Sequence, residues 1–335
     1  MFGRFMNNYL YGKSGKGDYT KDDLPGTRMQ LFWEMLRTRF SALMRLNLIY
    51  VVAWLPVLAV VGYHVLLLYS AMVNFADLQT QLDAGTLTAA EYATQQSLFL
   101  DGAKSVIFRA LVFLIPALAI TGPFTAGLSF VTRNWARDEH AFLWSDFKDA
   151  FKENWKQGLA TSVITGFVPI VIYVCWIFYG QMAQNSTVFV IPQVLSVILG
   201  VLWLMSLMYT YPMMVTYNLR YRDVLRNSIL LTVGRLPATL GLKLLSCLPT
   251  VLAVLVSYVT PYLQWALLVW FLYYILFGFS LSSFVGASYT IAVFDKYINI
   301  KIKGAQVNRG LYVESDDDED DEDDEPQNPG GAPEA

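Results

Sequence analysis

The chain contains two histidines and two cysteines, the side chains that most often bind metals or act in nucleophilic chemistry. His64, Cys175 and Cys247 lie in long apolar runs, and His140 has no second ligand at the spacing of a metal site. A buried free thiol usually packs as a small hydrophobe. No nucleophile is paired with a base either. We therefore expect no catalytic residue, no metal and no cofactor, and we predict that the chain is not an enzyme.

A glycine-rich segment at residues 11–17, YGKSGKG, invites comparison with a phosphate-binding loop. Such a loop needs a glycine five positions before Gly12, where this chain has Asn7. We interpret the segment as a basic linker rather than a nucleotide site.

The composition of the 335 residues explains why the chain has so few candidate catalytic or metal-binding side chains. The chain is 55% hydrophobic and 15% charged, with a mean hydropathy of +0.40, whereas soluble domains are about 25% charged. A soluble enzyme, a disulfide scaffold and a nucleic-acid binder are excluded. The composition predicts an all-α, polytopic membrane helix bundle whose first partner is the lipid bilayer.

Six apolar runs are long enough to cross a bilayer as helices, for which about 20 residues are needed. They lack the alternation of a membrane β-barrel. The predicted spans are residues 46–72, 105–131, 159–182, 189–216, 240–259 and 264–294.

The basic residues predict the orientation of these spans. Eight lysines and arginines precede the first span, and further clusters follow the second, fourth and sixth spans. Basic residues collect on the cytoplasmic side of membrane proteins. We therefore expect a multi-pass protein of the cell membrane with both termini cytoplasmic.

This organisation predicts three parts. Residues 1–45 form a cytoplasmic basic segment. Residues 46–300 form the six-span membrane domain, with interfacial helices near 141–158 and 220–236. Residues 301–335 form a cytoplasmic acidic tail, and eleven acids within residues 314–325 predict that it is disordered. On the other side, residues 87–100 could form an amphipathic helix, with Thr86 as its cap, lying over the outer face.

Two features of the sequence are candidate interaction surfaces. Trp144, Phe147, Phe151 and Trp155 recur at spacings of three, four and four residues, which places them on one stripe of a helix. The stripe predicts an interfacial elbow packed on the spans, and a docking surface for a partner stays open beside that interpretation.

Small residues at four-residue spacing form the second feature. Gly278, Ser282 and Gly286 form one ridge, and Thr121, Thr125 and Ser129 form a ridge of hydroxyls. Such ridges predict close helix contact, either within the chain or with another subunit.

Several stretches resemble one known family. They are Thr121-Gly122-Pro123, Arg137-Asp138-Glu139 and the aromatic, lysine-rich residues 146–157. Together they resemble the YesL-like family of bacterial integral membrane proteins, a domain family of unknown function. The resemblance implies a bacterial membrane and a carbohydrate-uptake context. The chain departs from the family in the greater length between Pro56 and Thr121 and in its acidic tail.

Three hypotheses for function follow. The first is an accessory or regulatory component of a membrane transport or sensor complex, with a carbohydrate importer as the named candidate. The alternative is a channel or secondary carrier for a small solute. The third is a homo-oligomeric structural protein of the bilayer. Polar residues that converge on one cavity at span depth would favour the carrier, and a filled bundle with an exposed small-residue ridge would favour the accessory role.

Overall fold

The computed structural model describes residues 25–259 and 262–312, and these residues form helices and connecting turns without a strand. The helices are α1 (Arg28–Asp83), α2 (Ala89–Trp135), α3 (Ser145–Ala183), α4 (Val190–Met214), α5 (Tyr221–Gly234), α6 (Leu236–Val259), α7 (Leu263–Tyr273) and α8 (Phe279–Tyr297). A π-helical turn, Tyr274–Gly278, joins α7 to α8. The predicted all-α helix bundle is confirmed.

Six segments of the described chain are long and apolar enough to cross a membrane. Five are, or contain, α1, α2, α3, α4 and α6, and the sixth runs from α7 through α8. The predicted number of six is confirmed. The short helix α5 lies outside these segments and coincides with the interfacial helix predicted near 220–236, whose position at a membrane surface stays a prediction. Residues 1–24 and most of the predicted acidic tail (313–335) lie outside the described residues.

The bundle has two ends, and contacts between distant segments identify one of them. Arg28 at the start of α1 lies 2.5 Å from Asp295 near the end of α8. Arg133 near the end of α2 donates to the backbone oxygen of Val215, which follows α4 (3.1 Å). We call this end, where the first and last described residues meet, the basic end. The opposite end carries the turn between α1 and α2.

The structure differs from the expected outside helix at 87–100. Those residues form the first part of α2, and the cap is Thr88 rather than Thr86, because Thr88 and Glu91 form a reciprocal capping box. With 56 residues, α1 is about 84 Å long at 1.5 Å per residue, far more than the hydrocarbon thickness of about 30 Å.

The excess length of α1 and α2 forms an antiparallel extension, residues 74–104, which we call the projecting hairpin. Phe75 stacks on Phe99 at a ring-centroid distance of 4.6 Å. The hydroxyl of Tyr92 donates to Gln79 across the pair (2.6 Å). These contacts hold the two helices together beyond the apolar spans, so the segment projects from the bundle instead of lying flat over it.

The interfacial helix expected near 141–158 is not a separate element. From Ser145 onward it is continuous with the third span, and α3 runs unbroken to Ala183. For a separate interfacial helix, the helix that begins at Ser145 would have to end near residue 158. Gly158 does not end it, because its backbone is held against α2.

Glycines bring the backbones of α2 and α3 into contact. A Cβ built on Gly158 would lie 2.9 Å from the carbonyl carbon and oxygen of Gly122. One built on Gly166 would lie 2.9 Å from the Cα of Ile115, and one on Gly127 would lie 2.8 Å from the carbonyl oxygen of Phe147. Small residues permit this close approach when lipid provides little hydrophobic drive between helices.

We expect Gly158→Ala to destabilise the bundle by about 1–3 kcal/mol, because the new methyl must push two backbones apart. Gly241→Ala is the matched control, since a Cβ there meets nothing within 4 Å and alanine is the better helix former. Thermal unfolding of both variants in detergent measures the difference. Equal melting temperatures would contradict the backbone contact.

Candidate functional site

A polar cavity of about 470 Å³ lies inside the bundle, in the half of the spans nearer the basic end. Its walls come from α1, α2, α3, α4, α6, α8 and the π turn. Apolar atoms supply most of its surface, and hydroxyl groups lie among them. The hydroxyls belong to Tyr50, Thr121, Thr125, Ser129, Ser162, Thr165, Tyr211, Ser246, Tyr274, Ser282 and Ser283.

Several of these hydroxyls are paired across helices. The Tyr50 hydroxyl lies 2.8 Å from the Thr125 hydroxyl, which itself donates to the carbonyl of Thr121 (2.8 Å). Tyr50 is therefore the donor to Thr125. On the other wall the hydroxyls of Ser162 and Tyr211 lie 2.9 Å apart. Such pairs satisfy polar groups at membrane depth, where water is scarce.

Lys243 is the charged residue among those that line the cavity. It lies in the second turn of α6 and is half-buried. Within the described part of the chain its ammonium group has neither a hydrogen-bond acceptor nor a carboxylate partner. A partly desolvated cation without a counter-ion attracts an anion or a dense set of oxygen acceptors. Lys243 therefore gives the cavity a positive wall.

One buried amide shapes the cavity at the π turn. The side-chain nitrogen of Asn47 donates to the carbonyls of Tyr274 (2.8 Å) and Ile275 (2.7 Å). Its side-chain oxygen accepts from the backbone N–H of Ser280 (2.9 Å). A π turn interrupts the regular helical hydrogen bonds, and Asn47, which is fully buried, supplies partners for the groups beside it.

The two small-residue ridges meet at this cavity. Gly278, Ser282 and Gly286 lie in its lining, as do the three hydroxyl residues of α2. A Cβ on Gly286 would lie 3.5 Å from Met208 of α4. The ridge therefore makes a contact within the chain, and contact with another subunit stays a prediction.

The aromatic stripe divides between interior and surface. Phe147 is buried, and its ring and that of Phe151 lie 6.3 Å and 5.0 Å from the ring of Phe124 on α2. Trp144 and Trp155 are 62% and 47% exposed. The four residues do not form one exposed docking face, and the surface role of the two tryptophans stays a prediction.

A charge cluster holds the segment after α8 at the basic end. Glu139 lies 2.8 Å from Arg309, 3.2 Å from Arg137 and 3.9 Å from Arg133. Gly310 fits here with φ +81°, because a Cβ would lie 2.7 Å from the carbonyl oxygen of Arg137.

Tyr217 links the connection after α4 to the same end. Its hydroxyl donates to the side-chain oxygen of Asn299 (2.6 Å). Burial, followed by the nearby negative charge of Asp295, raises the pKa of Tyr217 to about 12. The hydroxyl therefore stays a neutral donor at physiological pH.

Sequence reasoning missed Asn47 as a site residue and gave Lys243 no role. Asn47 has a visible signal, since it is an amide at the start of an apolar run, but its partners lie more than 220 positions away. Nothing in the sequence pattern places Lys243 in the same cavity lining as the hydroxyl ridge of α2. Only the packing of α6 against the bundle does so.

Fold and cavity together define a helical bundle of membrane-spanning type. A family model described as "Protein of unknown function, DUF624" matches residues 105–176. The match covers the apolar part of α2 and most of α3, and it is consistent with the YesL-like resemblance. Neither the curated proteins nor the solved structures provide a match.

We expect Asn47→Asp to destabilise the protein strongly. The carboxylate removes both amide donors and faces two carbonyl oxygens, and each buried group left unpaired costs about 1–3 kcal/mol. Asn185→Asp makes the same chemical change at an exposed turn and should leave the melting temperature within about 1 °C of the parent, as surface changes usually do. Thermal unfolding in detergent compares them, and a neutral Asn47→Asp would contradict the assigned role.

Proposed function

We propose that this chain is a channel or secondary carrier for a small polar solute, without a catalytic step. The observation that supports the proposal is the hydroxyl-lined cavity beside Lys243 in the basic half of the spans. An apolar bundle gains nothing from burying so many polar groups unless they serve a ligand or one another. The cavity also contains the small-residue ridge that an accessory subunit would present outward.

The lining indicates the chemistry of the solute. Several of the hydroxyls donate to backbone carbonyls of their own helices, and their oxygen atoms can still accept. They suit a solute that carries hydroxyl groups as donors. Lys243 adds a preference for negative charge. We infer a small anion or a hydroxylated acid, bound between the ridge of α2 and the start of α6.

Helices α6 and α7 are the elements best suited to admit it. Thr239 is the buried residue of α6, and α7 buries none. Elements with few buried contacts move at the lowest free-energy cost. In this proposal the α6–α7 pair shifts against the α1–α4 bundle to open the cavity.

Flux in proteoliposomes that contain only this protein tests the proposal. A panel of labelled small anions, hydroxy acids and neutral sugars should include a solute with saturable uptake. Lys243→Gln should lower that uptake about tenfold or more, since a charge-assisted hydrogen bond contributes about 1.5–3 kcal/mol. Lys156→Gln removes a charge from the exposed face of α3 and should leave it unchanged. Uptake no greater than in protein-free liposomes across the panel would contradict the carrier proposal.

The accessory role in a transport or sensor complex, such as a carbohydrate importer, is a second proposal. The projecting hairpin favours it, because residues 74–104 extend beyond the bundle and expose apolar side chains such as Leu98 (61%) and Leu100 (50%). Such a surface could contact a partner outside the bilayer. Absence of flux from the chain alone, combined with cross-linking of this hairpin to a transport subunit, would favour this second role.

We also propose that the basic end faces the cytoplasm, since its lysines and arginines follow the positive-inside rule. In a chain lacking Cys175 and Cys247, a cysteine at Ala84 should react with an impermeant thiol reagent on intact cells. A cysteine at Gln306, exposed at the other end, should react only after lysis. The reverse pattern would overturn the orientation.

A further inference from the structure

A second cavity lies on the outside of the bundle and shares no residue with the polar one. It is a groove of about 600 Å³ between the first half of α1, the last third of α2 and the start of α3. Its floor is apolar and aromatic. The lining residues are Leu48, Ile49, Val52, Phe124, Phe147 and Phe151, with Trp144, Lys148 and Lys152 at the rim.

The groove lies where hydrocarbon and headgroups would meet. Residues 48–52 are the first turns of an apolar span, and their side chains Leu48 and Val52 are 49% and 58% exposed. Trp144, 62% exposed, is of the residue type that lies at this boundary. One wall therefore faces acyl chains, and the rim lies at headgroup level.

The rim is positively charged. Lys148 and Lys152 stand one turn apart on α3, and both are exposed. In the described chain neither ammonium group forms an ion pair or a hydrogen bond. Asp149 and Glu153 follow them by one position each, about 100° further around the helix, and they are not part of the lining. Two unpaired cations above an apolar groove match a ligand with an anionic head and a hydrocarbon tail.

We propose that this groove binds an anionic phospholipid, with one acyl chain against Phe124 and Phe151 and its phosphate between Lys148 and Lys152. Basic pockets between transmembrane helices recognise anionic headgroups in this way. A zwitterionic lipid fits the floor equally well but gains less from the rim. A partner helix would fill the floor and leave both lysines without anions.

Quenching of Trp144 tests the proposal in the full-length chain. The protein is reconstituted in vesicles that contain phosphatidylglycerol or phosphatidylcholine with brominated acyl chains. The Trp144 signal is the difference between the parent and Trp144→Phe. Each basic residue near an anionic surface contributes about 1 kcal/mol, a factor of about five. We therefore expect brominated phosphatidylglycerol to quench Trp144 at a mole fraction about fivefold to 25-fold lower than brominated phosphatidylcholine requires.

One variant tests the rim and another tests the floor, and a third is the control for the loss of charge. Lys148→Gln with Lys152→Gln should abolish the preference, whereas Lys156→Gln with Lys301→Gln removes the same charge from the same end and should retain it. Val52→Phe should reduce quenching of Trp144 by both lipids, because the larger ring fills the groove while both lysines remain and adds no tryptophan signal.

Three outcomes would overturn the proposal. One is equal quenching of the parent by the two lipids. Another is a preference that persists in the Lys148/Lys152 variant. The third is a Trp144 that neither lipid reaches, which would mean that a protein partner or a second copy of this chain covers the groove.

Discussion

The structure depends on one constraint, that backbone groups at membrane depth must find partners within the protein. Asn47 meets this constraint at the most irregular point of the last span. Its amide binds two carbonyls of the π turn and one N–H beyond it. Without these bonds the turn would leave polar groups unpaired inside the bundle, and this cost favours a return to regular helical geometry. Tyr274 and Gly278 would then leave their places in the cavity wall.

The close approach of α2 and α3 is the second element of this arrangement. Gly122 and Gly158 let the two backbones touch, which fixes the rotation of α2 about its axis. That rotation directs Thr125 toward the polar cavity and its neighbour Phe124 toward the groove. The segment that matches the family model, residues 105–176, contains both of these glycines.

Much of the fold could be predicted from the sequence, because span length and apolarity are local properties. All-α structure, six spans and the helical nature of 220–236 follow from them. The projecting hairpin could not be predicted, since its continuity depends on contacts such as Phe75 with Phe99 rather than on apolarity. The site was predicted only in part. Both ridges can be recognised in the sequence from the spacing of their residues. That they line one cavity with Lys243 depends on contacts between distant parts of the chain, such as those of Asn47 with the π turn.

Charge at the basic end links the two cavities without a shared residue. Among the described residues, the four arginines of this cluster pair with two carboxylates, those of Asp295 and Glu139; the arginines are Arg28, Arg133, Arg137 and Arg309. Lys243 and the two lysines of the groove add to this excess. Because a low-dielectric surrounding screens charge weakly, the excess extends over several ångströms. In the two proposals, this charge favours an anionic lipid in the groove and an anionic solute in the polar cavity. A lipid that neutralised the groove would lower the positive potential felt by a solute on the opposite face of α2.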